Sequence, residues 1–242
     1  MIIKFLKRKD EGYPNVSNFA LLAFFAYVNI WYLQVGIRVP ALGAIRIEFL
    51  WAIFLILLIA LNKEKVDLTD NPMAGITVML FLVLAVQVPL SVVPEHSWNV
   101  FFNRVIKFAF LAFFIVQFVR SPKGLVIFIC AFMLACMKMG QEGMVGYLTG
   151  SLMWENQGVM RLHGSTPMYM HPNSYTGMAL GTIPFIIYLF PIVPKIFKVA
   201  LVVQFVFACN IILHTGSRTG YVAFLLMLLF VVLTSRKKMS AI

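Results

Sequence analysis

Eight separate stretches of this chain run for about 20 residues with almost no charge, near residues 18–37, 41–61, 73–93, 104–119, 124–140, 173–191, 196–214 and 218–234. A helix rises 1.5 Å per residue, so roughly 20 apolar residues cover the ~30 Å hydrocarbon core of a bilayer. In that core every backbone polar group must be paired within the protein, which leaves helices and closed barrels as spanning structures. Runs of this length point to helices. The pattern predicts an all-α, polytopic transmembrane helix bundle of about eight spans, forming one integral membrane domain over residues 1–242.

Composition supports this solvent. The chain is 61% hydrophobic and 12% charged, where soluble domains carry about 25% charged residues. The net charge of +11 is scattered singly between apolar runs, with no basic surface along which a nucleic acid backbone could lie. The cations read instead as topology signals. Lys4, Lys7, Arg8, Lys9, Lys63, Lys65, Arg120, Lys123, Lys195, Lys198, Arg236, Lys237 and Lys238 fall on one side of the eight-span pattern, which predicts that side, and both termini, to be cytoplasmic. The remaining basic residues, Arg38, Arg46, Arg104, Lys107, Lys138, Arg161 and Arg218, fall toward the other side. The charged start, MIIKFLKRKDEGYPN, lacks the apolar core of a signal peptide.

One outer segment is long. It covers residues 141–172, QEGMVGYLTGSLMWENQGVMRLHGSTPMYMHP, and long connections are often functional. Two apolar runs then begin in turn chemistry: Pro172, Asn173 and Ser174 open one, and Thr215, Gly216 and Ser217 open the other. The N-terminus of a helix offers unpaired N–H groups and partial positive charge, so each is suited to an anion. Gly216 permits close backbone approach. Arg218 adds a planar fork that a phosphate can accept bidentately, and Arg161 lies in the loop preceding the first of these helix starts. Arg218 as an interfacial anchor and Arg161 as a solvated loop residue are the plain alternatives.

Other polar residues are less telling. Arg46 and Glu48, at i and i+2 in the second run, do not face each other, so each needs a partner elsewhere; Arg46 as a third cation at the anion site and Arg46 in a buried ion pair both remain open. Arg104 and Lys107 share a helix face. His96 reads as loop surface, whereas His163, His171 and His214 flank the proposed site as candidate bases or donors. Cys130, Cys136 and Cys209 lack metal-ligand spacing, and HExxH, CxxC, Walker and paired-carboxylate motifs are missing. No metal or cofactor is expected.

The set RLHG (Arg161 to Gly164), His171-Pro172-Asn173 opening a helix, and TGSRTG (Thr215 to Gly220) one helix pair later resembles the O-antigen ligase and O-antigen polymerase superfamily. The likeness extends over the chain in layout and is specific between Arg161 and Leu233. It implies a multi-pass protein of the bacterial inner membrane with the 141–172 segment in the periplasm. The implied activity is a metal-independent glycosyltransferase: an inverting transfer of a glycan from undecaprenyl pyrophosphate to a hydroxyl of a glycan, of lipid A core or of a protein. Arg161 and Arg218 fall on arginines that hold the pyrophosphate, with Ser217, Gly216, Asn173 and His171 beside them. The family often has Asp where this chain has His171. The layout further predicts correspondence to the N-terminal and central part of such an enzyme, without the later periplasmic loop whose histidine activates the acceptor. Two rival readings keep the same residues: a polyprenyl-lipid or small-anion transporter, which should place polar residues near the midplane, where Asn29, Gln87 and Gln117 are the modest cases, and a non-catalytic membrane remnant.

Overall fold

The computed structural model describes residues 16–61, 74–156 and 158–234. Lys4, Lys7, Arg8, Lys9, Lys63, Lys65, Arg236, Lys237 and Lys238, which carry most of the charge asymmetry, lie outside the described residues. The protein is nearly all-α, 80% helical. Each apolar run folds as a helix: α1 Asn18–Tyr32, α2 Ile47–Leu61, α3 Ala74–Gln87, α4 Pro94–Phe118, α5 Pro122–Leu148, α6 Pro172–Leu189, α7 Lys195–His214 and α8 Arg218–Thr234. Among the described residues three, α4, α5 and α7, are long and apolar enough to cross a membrane, and α1, α2, α3 and α8 are shorter apolar helices. The helices leave wide apolar faces outward. In α8 only Gly220 is buried. Such faces suit a lipid solvent, so the structure is consistent with a membrane protein.

The helix ends differ from expectation where local chemistry intervenes. The first apolar run reaches residue 37, but α1 stops at Tyr32 because Gln34 adopts φ 48°, outside the helical region. Conversely, α5 continues to Leu148 through Gly140, Gly143 and Gly146, so residues 141–148 of the expected loop are helical. These glycines mark a packing face. A β-carbon on Gly140 would lie 2.7 Å from Phe207 Cβ, and one on Gly146 2.5 Å from Leu152 Cγ. Small residues at such spacing let neighbouring groups approach a helix closely.

The chain divides into two compact units. The second comprises Arg38–Ala131 with the described residues up to Trp31, and its interior is aromatic. Phe24 stacks on Phe118 with centroids 5.1 Å apart, while Tyr27 meets Phe114 edge-on at 4.9 Å and Trp31 meets Phe108 edge-on at 4.8 Å. The indole N–H of Trp51 donates to the Ala23 carbonyl at 2.9 Å. Glu48 finds its partner across helices in Lys107, at 3.2 Å. Arg46 precedes α2 and adopts φ 50°, so it is not part of the helix in which the sequence pattern placed it.

The first unit comprises Phe132 onward together with Tyr32–Ile37. Its core gathers Cys136, Met139, Leu162, Tyr175, Ala179, Ile183, Ala208, Ile211 and Ile212. Tyr175, fully buried in the first turn of α6, donates its phenol proton to the Met139 carbonyl of α5 at 2.6 Å. Gly143, one turn beyond Met139, leaves room for that ring. Tyr175→Phe deletes the donor and keeps the ring, and is expected to lower stability by about 1–2 kcal/mol, read as an earlier thermal transition in detergent.

Between α5 and α6 the chain forms a β-hairpin, β1 Met153–Asn156 and β2 Val159–Leu162, antiparallel with Met153 opposite Leu162 and Trp154 opposite Arg161. Gly158 supplies a φ of 73° at its turn, as tight hairpin connections require. Side chains alternate across a strand, so Leu162 enters the core beside Met153 while Arg161 and Trp154 share the other face.

Candidate functional site: the turn before the last helix

The connection between α7 and α8 is Thr215-Gly216-Ser217, and its geometry follows from three local choices. Gly216 takes φ 59°, a conformation nearly free for glycine and strained for other residues. Ser217 caps α8: its Oγ accepts from the Gly220 N–H at 3.0 Å, the usual device for one of the unpaired donors at a helix start. The N–H groups of Arg218 and Thr219 have no acceptor within the helix. Arg218 is exposed at the first position of α8.

Arg161 reaches this turn from the hairpin. A β-carbon on Gly216 would lie 3.5 Å from Arg161 Cγ, 3.8 Å from its Nε and 3.9 Å from its Cδ. The stem of Arg161 therefore lies along the bare glycine backbone, and its Nε is buried with no hydrogen-bond partner among the described residues. The sequence separates Arg161 and Gly216 by more than fifty positions; the fold makes them neighbours.

The start of α6 is tied to the same turn. Thr176 and Thr215, both buried, share a hydroxyl–hydroxyl hydrogen bond of 2.5 Å. Thr215 also donates to the Ile212 carbonyl at 3.2 Å, so in the shared bond Thr176 is the donor when both bonds are made. Pro172 and Asn173 open α6, about one helical turn before Thr176. His171 is the cap of α6, its Nδ1 accepting from the Asn173 N–H at 3.2 Å, and the Asn173 side chain is exposed. A histidine cap has no strong sequence signal.

The three flanking histidines differ in what they present. His171 uses its Nδ1 lone pair on the cap, which assigns its proton to Nε2 and makes it an outward donor. His163 and His214 place Nδ1 against carbonyls, Gly164 at 3.0 Å and Asn210 at 2.9 Å. That contact assigns the proton to Nδ1 and leaves Nε2 as an open lone pair. The ring of His214 is also covered by Tyr147, centroids 3.6 Å apart at 30°. Its orientation is held from two sides.

A second polar group lies on the following loop. Glu142 of α5 pairs with Lys138 at 3.4 Å and accepts from the Ser165 hydroxyl. The Met168 N–H donates to Gln34 Oε1 at 3.3 Å. Burial, with Tyr32 and Cys136 adding to it, holds the Tyr169 phenol proton well above its ordinary range, so Tyr169 is neutral at any physiological pH and serves packing. Among the described residues no group of three or more His, Cys, Asp or Glu is placed to hold a metal ion.

Arg161, Gly216, Ser217 and Arg218 are thus brought together, with His171 and Asn173 at the helix start joined to them through Thr176. Arg46 belongs to the other compact unit. The residues that sequence reasoning missed are Thr176 and Tyr147; Thr215, read there only as turn chemistry, is in the fold the partner of Thr176. No family model, curated protein or solved structure matches the chain.

Proposed function

We propose that this protein transfers a glycan from a polyprenyl pyrophosphate, undecaprenyl pyrophosphate in a bacterial inner membrane, to an acceptor hydroxyl at the periplasmic face, as an O-antigen ligase or polymerase does. In this reading the eight helices are eight spans with both termini in the cytoplasm, and the hairpin with the α7–α8 turn lies at the periplasmic side. The observation that carries it is Arg161 laid along Gly216, its buried Nε unpartnered, beside a helix start that presents Arg218 and free N–H groups. Such an arrangement is short of one partner of one kind: an anion rich in acceptor oxygens.

The chemistry follows from the groups present. The acceptor O–H gives its proton to the open Nε2 of His214, and its oxygen forms the new bond to the anomeric carbon. The bond from that carbon to the pyrophosphate oxygen breaks, and its electron pair leaves with the pyrophosphate. Arg161, Arg218 and the α8 N-terminus stabilise the charge that grows there. Acceptors from another glycan, from lipid A core or from a protein all offer the same hydroxyl.

The test is direct binding of a polyprenyl pyrophosphate to the full chain in lipid nanodiscs. Arg161→Gln is expected to weaken it about tenfold with an unchanged thermal transition. Equal affinity in both proteins would remove the anion site. One observation favours a second reading, lipid or anion transport: Gln204, midway along α7, is buried, and its Oε1 has no hydrogen-bond partner among the described residues. Flux in proteoliposomes that depends on Gln204 and not on Arg218 would select it.

A further inference from the structure

Two buried nitrogen donors without partners among the described residues belong to opposed residues of the β1–β2 hairpin. Trp154 and Arg161 are directly opposed in its register, so their side chains leave the same face with β-carbons roughly 5 Å apart. Trp154 Nε1 and Arg161 Nε are both buried, and neither has a hydrogen-bond partner among the described residues. A buried donor left unpaired costs free energy comparable to a lost hydrogen bond, and native proteins rarely leave one so. Two adjacent cases on one strand pair share one explanation: a ligand that brings acceptors to both.

The chemistry of the donors limits that ligand. The indole and guanidinium groups donate and cannot accept, so the ligand must present an acceptor oxygen to each. The hairpin is braced, because Leu162 and Met153 on its opposite face enter the core, and the His163 ring meets the Trp154 ring at 5.6 Å and 56°. Arg161 is the member that lies along Gly216. Trp154 therefore stands one strand farther from the α8 start, where a group attached to the bound phosphate would be.

The geometry points to Trp154 as a sugar-recognition residue: its Nε1–H meets a hydroxyl or acyl oxygen of the hexose carried on the phosphate, while Arg161 meets the phosphate itself. This rests on the anion reading above and deepens it. Trp154 selects the glycosylated lipid over the bare one. Its ring lies beside the sugar, where an aromatic edge with one polar donor can follow an apolar ring surface and one of its oxygens.

Trp154→Phe keeps the ring and removes the N–H. Binding is measured by calorimetry on the full chain in nanodiscs with two probes, polyprenyl pyrophosphate and polyprenyl pyrophosphoryl-N-acetylglucosamine. The expected result is about a tenfold loss of affinity for the sugar-bearing probe and less than about a twofold change for the bare one. The bare probe in the same preparation also reports an intact fold. Equal weakening of both probes, or of neither, overturns the sugar role and leaves the anion site standing. Binding of neither probe by the unaltered protein removes both readings.

Discussion

Arg218→Ala is expected to lower glycan transfer at least about a hundredfold, with the fold intact. Arg218 is exposed at the first position of α8 and the cap of that helix is made by Ser217, so truncation removes neither core packing nor the cap. What it removes is a fork of donors aimed where charge develops on the departing pyrophosphate, and loss of one such donor costs catalysis about two to three orders of magnitude. Arg218→Lys keeps the charge and loses the fork, so partial recovery is expected. The measurement is glycan laddering in cells together with the thermal transition of the purified variants. Unchanged laddering with Arg218→Ala would sink the assignment of this turn. A shifted transition would instead place Arg218 in the framework.

The second large effect is structural. A β-carbon on Gly164 would stand 2.6 Å from both the carbonyl oxygen and Cβ of Tyr169. Those atoms cannot give way easily. The Gly164 N–H donates to that same carbonyl at 2.8 Å, Tyr169 is buried, and Leu162 two residues earlier has no exposed surface. Gly164→Ala is therefore expected to destabilise by about 3 kcal/mol, with loss of the hairpin position and hence of Arg161 from Gly216. Gly158→Ala is the control in the same segment. It meets nothing within 4 Å and carries only the strain of φ 73°, about 1 kcal/mol. Thermal unfolding that ranks the two variants equally would show that the loop yields around residue 164.

Much of the helical architecture was legible in the residues because long uncharged apolar runs must pair their backbone groups internally, which a helix does within one segment. All eight runs are helices. Their ends were less legible. In the sequence the fifth run ends near residue 140, but the helix carries on to Leu148, with Phe207, Tyr175 and Leu152 pressing against α5 at Gly140, Gly143 and Gly146. The hairpin was missed because its strands, MWEN and VMRL, hold only Trp154 and Val159 as strand formers, so the segment reads as a loop. Arg46 was placed inside a helix by its apolar neighbours. Its left-handed backbone is a local detail that composition does not carry.

The candidate site divides in the same way. Gly216, Ser217 and Arg218 were recognisable because the chemistry of a helix start is local: a glycine, a cap and a cation within three positions. His171 as the cap of α6, and the Nδ1 contacts that leave His163 and His214 with open Nε2 atoms, were decided by backbone groups that only the folded chain presents. By itself the sequence determined the helices and the apolar faces that suit a lipid solvent, and it offered residue types suited to an anion. Only the tertiary structure decided that Arg161 lies on Gly216, that Thr176 holds Thr215, and that Trp154 stands opposite Arg161 with an unpartnered donor. These are pairings between distant segments, set by side-chain packing and strand register, to which a pattern of spacing along one helix is blind.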